Sequence, residues 1–338
     1  MKKVLLTGAA LVAVATSPAM AEGLKLDLAG HAKVYGVYTD ADTDNTHELN
    51  IRKETEIHFT GETTLDSGLT VGAHVEMNVD ANDGDVEESY IYMSGGWGRV
   101  NVGEEDGVAY LLQVSAPSAD SNVDGLRQYI SAGDAAVSGR LDYDQATSGT
   151  ANKLSYMTPV FNGFQGGISY VPTVADAANG TTSVATDNTA GLSDGYELAA
   201  RYEGAYEGVG VAFGAGYGSY DGEITTADRD AWNAGLDLDF SGFGFGVAYL
   251  EEEQNAAGDD REVLVVGADY QMGAYKLGAS WLNQDGDNAV VNELDRITAG
   301  ASYSYGPGMS FRGSVSLTDN DTANTDETQF LVGTQINF

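Results

Sequence analysis

Basic residues are scarce in this chain: 16 lysines and arginines stand against 51 aspartates and glutamates. Nucleic acid is held by clustered Lys and Arg against phosphate, so this balance excludes it as a partner. There is no cysteine, and nothing here depends on thiol chemistry, a disulfide or a cysteine metal site. Proline is rare as well, at 5 residues against 44 glycines. No apolar run reaches the roughly 20 residues that a membrane-spanning helix needs.

The longest such run, Val4 to Val14, follows Lys2 and Lys3 and precedes the small-residue pattern Ala19-Met20-Ala21. A positive end, a short apolar stretch and a small-residue site together predict a cleaved secretory signal peptide over 1–21 and a mature chain over 22–338. Removing Lys2 and Lys3 leaves 14 basic against 51 acidic residues, a net charge near −37. Charge this lopsided favours solvated loops and attracts cations.

Beyond residue 21 the apolar residues recur at period two, almost nowhere at helical spacing. From Leu24 the even positions read Leu26, Leu28, Gly30, Ala32, Val34, Gly36 and Tyr38, while the odd ones include Lys25, Asp27, His31 and Lys33. Leu69/Val71/Ala73/Val75/Met77, Trp232/Ala234/Leu236/Leu238/Phe240 and Ile297/Ala299/Ala301/Tyr303 follow the same rule. Read through, the alternation predicts strands at 24–38, 49–64, 69–79, 87–95, 99–104, 152–159, 163–172, 195–203, 208–219, 229–240, 243–252, 261–271, 274–284, 292–304, 308–318 and 327–338. Many match the roughly 9–11 residues of a tilted transmembrane strand. Glycine-rich turns such as Ser241-Gly242 and Gly306-Pro307-Gly308 alternate with longer acidic loops. That asymmetry points to an all-β, 16-stranded antiparallel transmembrane β-barrel, closed so that no strand edge meets lipid. Tyr35, Tyr38, Tyr90, Tyr92, Tyr170, Tyr217, Tyr249, Tyr303 and Tyr305 gather near strand ends, where an aromatic belt would sit at the lipid headgroups.

Enzyme signatures are missing. There is no HExxH or Walker loop, and Gly242-Phe243-Gly244-Phe245-Gly246 alternates as a strand without the helix that a dinucleotide motif needs. Asp40, Asp42 and Asp44 carry the first spacings of a calcium loop, but Asn45 stands where glycine is required and Ile51 where the last acid belongs. Outer-loop acids such as Asp319, Asp321 and Asp326 offer a looser calcium site, against the plainer reading of a solvated loop. No cofactor is otherwise expected.

Four stretches carry a family resemblance: LDLAGHAKVYGVY, SYIYMSGGWGRVNVGEEDG, NKLSYMTPVFNGFQGGISYV and the terminal VGTQINF. In their order and spacing they resemble the Gram-negative general porins over nearly all of the mature chain. The resemblance implies an outer-membrane homotrimer of barrels and passive diffusion of ions and small hydrophilic solutes. It also implies a long third loop folded into the pore, and a terminal Phe338 read by the barrel-insertion machinery. That loop would lie between residues 104 and 152, with a short helix near 107–114 ended by Pro117. The acids that match the constriction are Glu104, Glu105, Asp106, Asp120 and Asp124. Strand parity turns Lys33, Arg52 and Arg99 into the lumen, with His58 and His74 nearby. Acids at a constriction favour cations, so a cation-preferring pore is expected. The competing readings are a substrate-selective channel and a non-transporting surface barrel with a plugged lumen.

Overall fold

The computed structural model describes residues 23–41, 48–79, 85–116, 144–174, 191–223, 226–254, 260–286, 293–322 and 324–338. The strands are β1 (Lys25–Ala41), β2 (Leu49–Thr64), β3 (Thr70–Asn78), β4 (Asp85–Gly95), β5 (Gly98–Glu104), β6 (Asn152–Met157), β7 (Phe164–Thr173) and β8 (Gly191–Tyr206). They continue as β9 (Val209–Glu223), β10 (Arg229–Phe240), β11 (Phe243–Gln254), β12 (Arg261–Met272), β13 (Tyr275–Gly286), β14 (Leu294–Gly306), β15 (Met309–Asn320) and β16 (Thr325–Asn337). A single helical turn, α1 (Val108–Leu111), follows β5. Among the described residues no helix is long and apolar enough to cross a membrane.

Each strand pairs antiparallel with its neighbour in sequence, and β1 pairs with β16, so the sheet is a closed barrel. The seam reaches the last residue. Gly30 and Phe338 exchange backbone hydrogen bonds of 2.9 and 3.0 Å. The start of β1 and the end of β16 lie at the end of the barrel that carries the tight turns, since Lys25 pairs with Glu62 and Ile336 with Met309. Several of these turns need two consecutive residues at positive φ, as at Asn162-Gly163 (50° and 87°) and Ser241-Gly242 (51° and 91°). That geometry matches the twist of paired strands and selects Asn and Gly.

The outer face is apolar. Leu28, Ile91, Leu198, Phe213, Val266, Ile297 and Phe330 are all exposed, and each alternates with an inward polar or small neighbour. A continuous exposed apolar belt would drive aggregation in water, whereas lipid requires it. Cross-strand rings reinforce the outer surface, as where Tyr275 meets Tyr303 at 4.7 Å and Trp232 meets Tyr249 at 4.8 Å between centroids.

Three details differ from the sequence expectations. Tyr35, Tyr90 and Tyr92 do not join the outer belt but face inward: Tyr35 is fully buried beside Val37 and Leu331, and Tyr90 lies 5.1 Å from the His74 ring. They share the parity of Lys33, His74 and Arg99, which proximity to a strand end does not reveal. The β8 strand begins at Gly191, four residues before its expected start, because a bulge between Ser193 and Tyr196, with Asp194 at φ 44°, breaks the alternation that marks a strand. The expected helix shortens to the one turn of α1, and Gln113–Ala116 leave it to run along the inner wall.

Candidate functional site

The long connection between β5 and β6 is described at its two ends, Glu105–Ala116 and Asp144–Ala151. Both ends lie inside the barrel, on the face opposite the exposed apolar side chains. The Val108 N–H donates to Ser169 Oγ on β7 at 3.0 Å, and the Ala109 N–H to Glu197 Oε2 on β8 at 3.1 Å. Asn233 of β10 donates to Ala109 O at 3.0 Å and to Gln145 Oε1 at 2.6 Å, joining the two ends of the loop to one wall residue.

Small residues make the close approach feasible. A Cβ on Gly235 would stand 1.9 Å from Val114 O, and one on Gly216 would stand 3.1 Å from the Cα of Ala109. The bare backbone of β9 and β10 is therefore the seat of the loop. Buried polar contacts hold it there. The Glu197 carboxylate also accepts from Ser148 Oγ at 2.6 Å and Tyr220 Oη at 2.8 Å, and Glu252 accepts from Thr147 at 2.8 Å while pairing with Arg261 at 3.2 Å. Arg201 donates to Gln113 O at 2.8 Å. Further along the wall Ala116 packs on Leu250, Val263, Val265, Leu282 and Leu294, an inward apolar patch.

The acids at the start of the loop are brought together. Glu104, Glu105 and Asp106 are all buried, and the Asp106 N–H donates to Glu88 Oε1 at 3.4 Å. Asn101 donates to Glu105, and Arg99 donates to Asn101 at 2.7 Å while lying over the Tyr92 ring at 3.9 Å. The Lys153 ammonium donates to the carbonyl of Glu105 and to that of Gly149 at 2.6 Å. Burial pushes the Glu105 carboxyl up to about 7, against the pull of Arg99 and the Asn101 hydrogen bond.

The inner faces of β1, β2 and β3 carry the basic groups. Lys33 is buried and pairs with Glu54 at 2.9 Å, and the same carboxylate oxygen lies 2.7 Å from His31 Nε2. His58 is held between Glu56 at 2.8 Å and Glu76 at 3.1 Å. Arg52 stands exposed opposite Tyr35 on the same face.

Of the residues singled out from sequence, Glu105 and Arg99 meet through Asn101, whereas Lys33 and Arg52 belong to a separate stretch of wall. Asp120 and Asp124 lie outside the described residues, as do Pro117, Asp42 and Asp44. Sequence reading missed the loop's anchors, Glu197, Asn233, Arg201, Glu252 and Arg261. Local spacing does not mark them, because each is one more inward polar residue of a strand. The inward apolar patch did leave a signal: Val263-Leu264-Val265-Val266 is apolar on both faces, the mark of a strand covered on both sides.

This geometry has clear relatives among solved structures. The anion-selective porin of Comamonas acidovorans matches with a TM-score of 0.65 at 14% identity, over 94% of this chain and 100% of the other. OmpT, an outer-membrane protein of Vibrio cholerae in its trimer form, matches with a TM-score of 0.66 at 13% identity over 94% and 100%. A mutant of the Rh. blastica porin matches with a TM-score of 0.60 at 19% identity over 93% and 100%. At these identities the likeness is one of fold. No curated protein sequence matches the chain. The sequence profile of the Gram-negative porins matches residues 7–323, nearly the whole length. Family and fold are those of an outer-membrane channel, not of an enzyme, and the chain belongs to the Gram-negative porin family.

Proposed function

We propose that this porin passes ions and small hydrophilic solutes by passive diffusion, with a preference for cations set by acids on and around its third loop. The observation that carries the reading is the seating of that loop. Both of its described ends are bound to the inner wall of β7–β10, so Glu105–Ala116 and Asp144–Ala151 occupy the lumen side of that wall. Glu104, Glu105 and Asp106 stand at the root of the loop, and Asp120 and Asp124, which lie outside the described residues, are the further acids assigned to the filter. Lys33 and Arg52 on a separate stretch of wall, with Arg99 beside Glu105, complete a field across the lumen that orients water and dipolar solutes and disfavours apolar ones.

Charge balance supports the sign. Lys33 is matched by Glu54 and His58 lies between two glutamates, so few bases remain to offset the acids. Fold alone does not set this sign, since one structural relative is an anion-selective porin.

The wider reading is a homotrimer, as OmpT is in its trimer form, exported by a signal peptide over 1–21 and inserted into the outer membrane through Phe338. The pore calls for no cofactor or energy source, and the acidic outer loops are the place where calcium would bind. The test is the zero-current potential of the refolded protein in a planar bilayer under a salt gradient. A cation-selective potential with openings in threes supports the reading, and neutralising Asp120, Asp124 or Arg52 should shift that potential. Absence of conductance from heat-modifiable, folded protein would overturn it and favour a plugged surface barrel.

A further inference from the structure

We infer that the inner wall at the β2–β3 hairpin is a binding site for one divalent transition-metal ion of the zinc class, ligated by His58, His74 and Glu76. Three of the chain's four histidines, His31, His58 and His74, stand on this inner surface. Register fixes their relation: His58 lies directly across from Glu76, and His74 is two residues before Glu76 on the same face. One ligand atom from each of His58, His74 and Glu76 falls within 4.8 Å of the others. His58 Nδ1 is 3.1 Å and His74 Nε2 is 3.9 Å from Glu76 Oε2. Bonds of about 2.0–2.2 Å in a tetrahedral zinc centre put ligand atoms roughly 3.3–3.6 Å apart, so an ion fits with small side-chain adjustments.

The other nitrogen of each ring strengthens the assignment. His58 Nε2 lies 2.8 Å from Glu56 Oε1, and His74 Nδ1 lies 2.9 Å from Thr60 Oγ1. With those N–H groups donating to the carboxylate and the hydroxyl, both rings turn a lone pair toward Glu76. This is the arrangement by which outer partners orient metal-binding histidines. The set supplies two imidazoles and one carboxylate and leaves a fourth position for water, which suits zinc, nickel or copper over calcium or magnesium. The neighbouring triad His31, Glu56 and His58 has similar spacing. It is the poorer host, because the Lys33 ammonium sits 2.9 Å from the Glu54 carboxylate that also holds His31, and repels a second cation there.

Equilibrium dialysis of the detergent-folded protein against zinc chloride, with magnesium and calcium chloride in excess, tests the site. One zinc ion per chain is expected to resist both competitors. His58→Gln and His74→Gln should weaken binding at least tenfold, Thr60→Val should weaken it about 10–100-fold as an outer-partner loss, and His31→Gln should leave it unchanged. Binding displaced by calcium, or retained in the two ligand variants, would place the ion on the acidic loops and overturn the assignment. Loss in His31→Gln with retention in His74→Gln would equally overturn it. X-ray absorption of the zinc-loaded wild type needs no variant to fold. Two imidazole nitrogens in the metal's shell are expected, and an all-oxygen shell refutes the site.

Discussion

Glu197 on β8 and Ser148 at the far end of the third loop share a 2.6 Å hydrogen bond within the barrel. The same carboxylate takes the Ala109 N–H from the near end and the Tyr220 hydroxyl from β9. One buried side chain thus fastens both ends of the loop to the wall. Replacement by alanine leaves three buried donors without that acceptor, at about 1–3 kcal/mol for an unsatisfied buried donor. We expect Glu197→Ala to raise open-channel current noise in single-channel records while the barrel keeps its heat-modifiable mobility. Glu197→Gln, which retains an acceptor, should be quieter.

The glycine seat predicts a steric counterpart. With a Cβ at Gly235 only 1.9 Å from Val114 O, Gly235→Val must push the loop off β10. Single-channel conductance is expected to change by a readily measured step, whereas circular dichroism should still report an intact barrel. An unchanged conductance would mean that the loop does not set the width of the path.

Glu105 predicts the pH dependence. Its carboxyl is pushed up to about 7 by burial, so it is neutral below that pH and charged above. Cation preference should therefore rise as pH increases through about 7. The zero-current potential of the Glu105→Gln variant, locked in the neutral state, should lack this step and resemble the wild type at low pH.

The lipid face predicts a loss of stability. Val266 is exposed midway along β12 among outward apolar neighbours. Arginine there should destabilise the folded barrel by about 2–4 kcal/mol if it sits at the bilayer midplane, measured by reversible denaturant unfolding in lipid vesicles. Lysine or arginine at a lumen-facing position has no such penalty.

Strand number and most boundaries were legible because the lipid imposes a strict period of two on every strand, which survives in any local window. The lumen imposes no comparable rule. Whether Tyr92 faces lipid or donates to Glu62 at 2.7 Å depends on parity and on a partner 30 residues away. The roles of Glu197 and Asn233 likewise depend on the loop segment that lands on them, which no spacing within β8 or β10 records. Glu105 could be picked out from the family pattern and Arg99 from strand parity, but their junction through Asn101 is a product of side-chain packing. Gly214, Gly216 and Gly235 read as ordinary strand glycines until the backbone of the loop is laid against them.

The seam between β1 and β16 bears on how the molecule is made. Its pairs, from His31 with Asn337 to Ala41 with Glu327, join the first strand of the chain to the last. Contacts of such sequence separation carry a large loop-closure cost and form slowly. Until the final strand arrives, both β1 and the growing end present open edges that would pair with any available strand. Closure is therefore all-or-none along this register: without its last strand β1 has no partner on that side, and the sheet stays open.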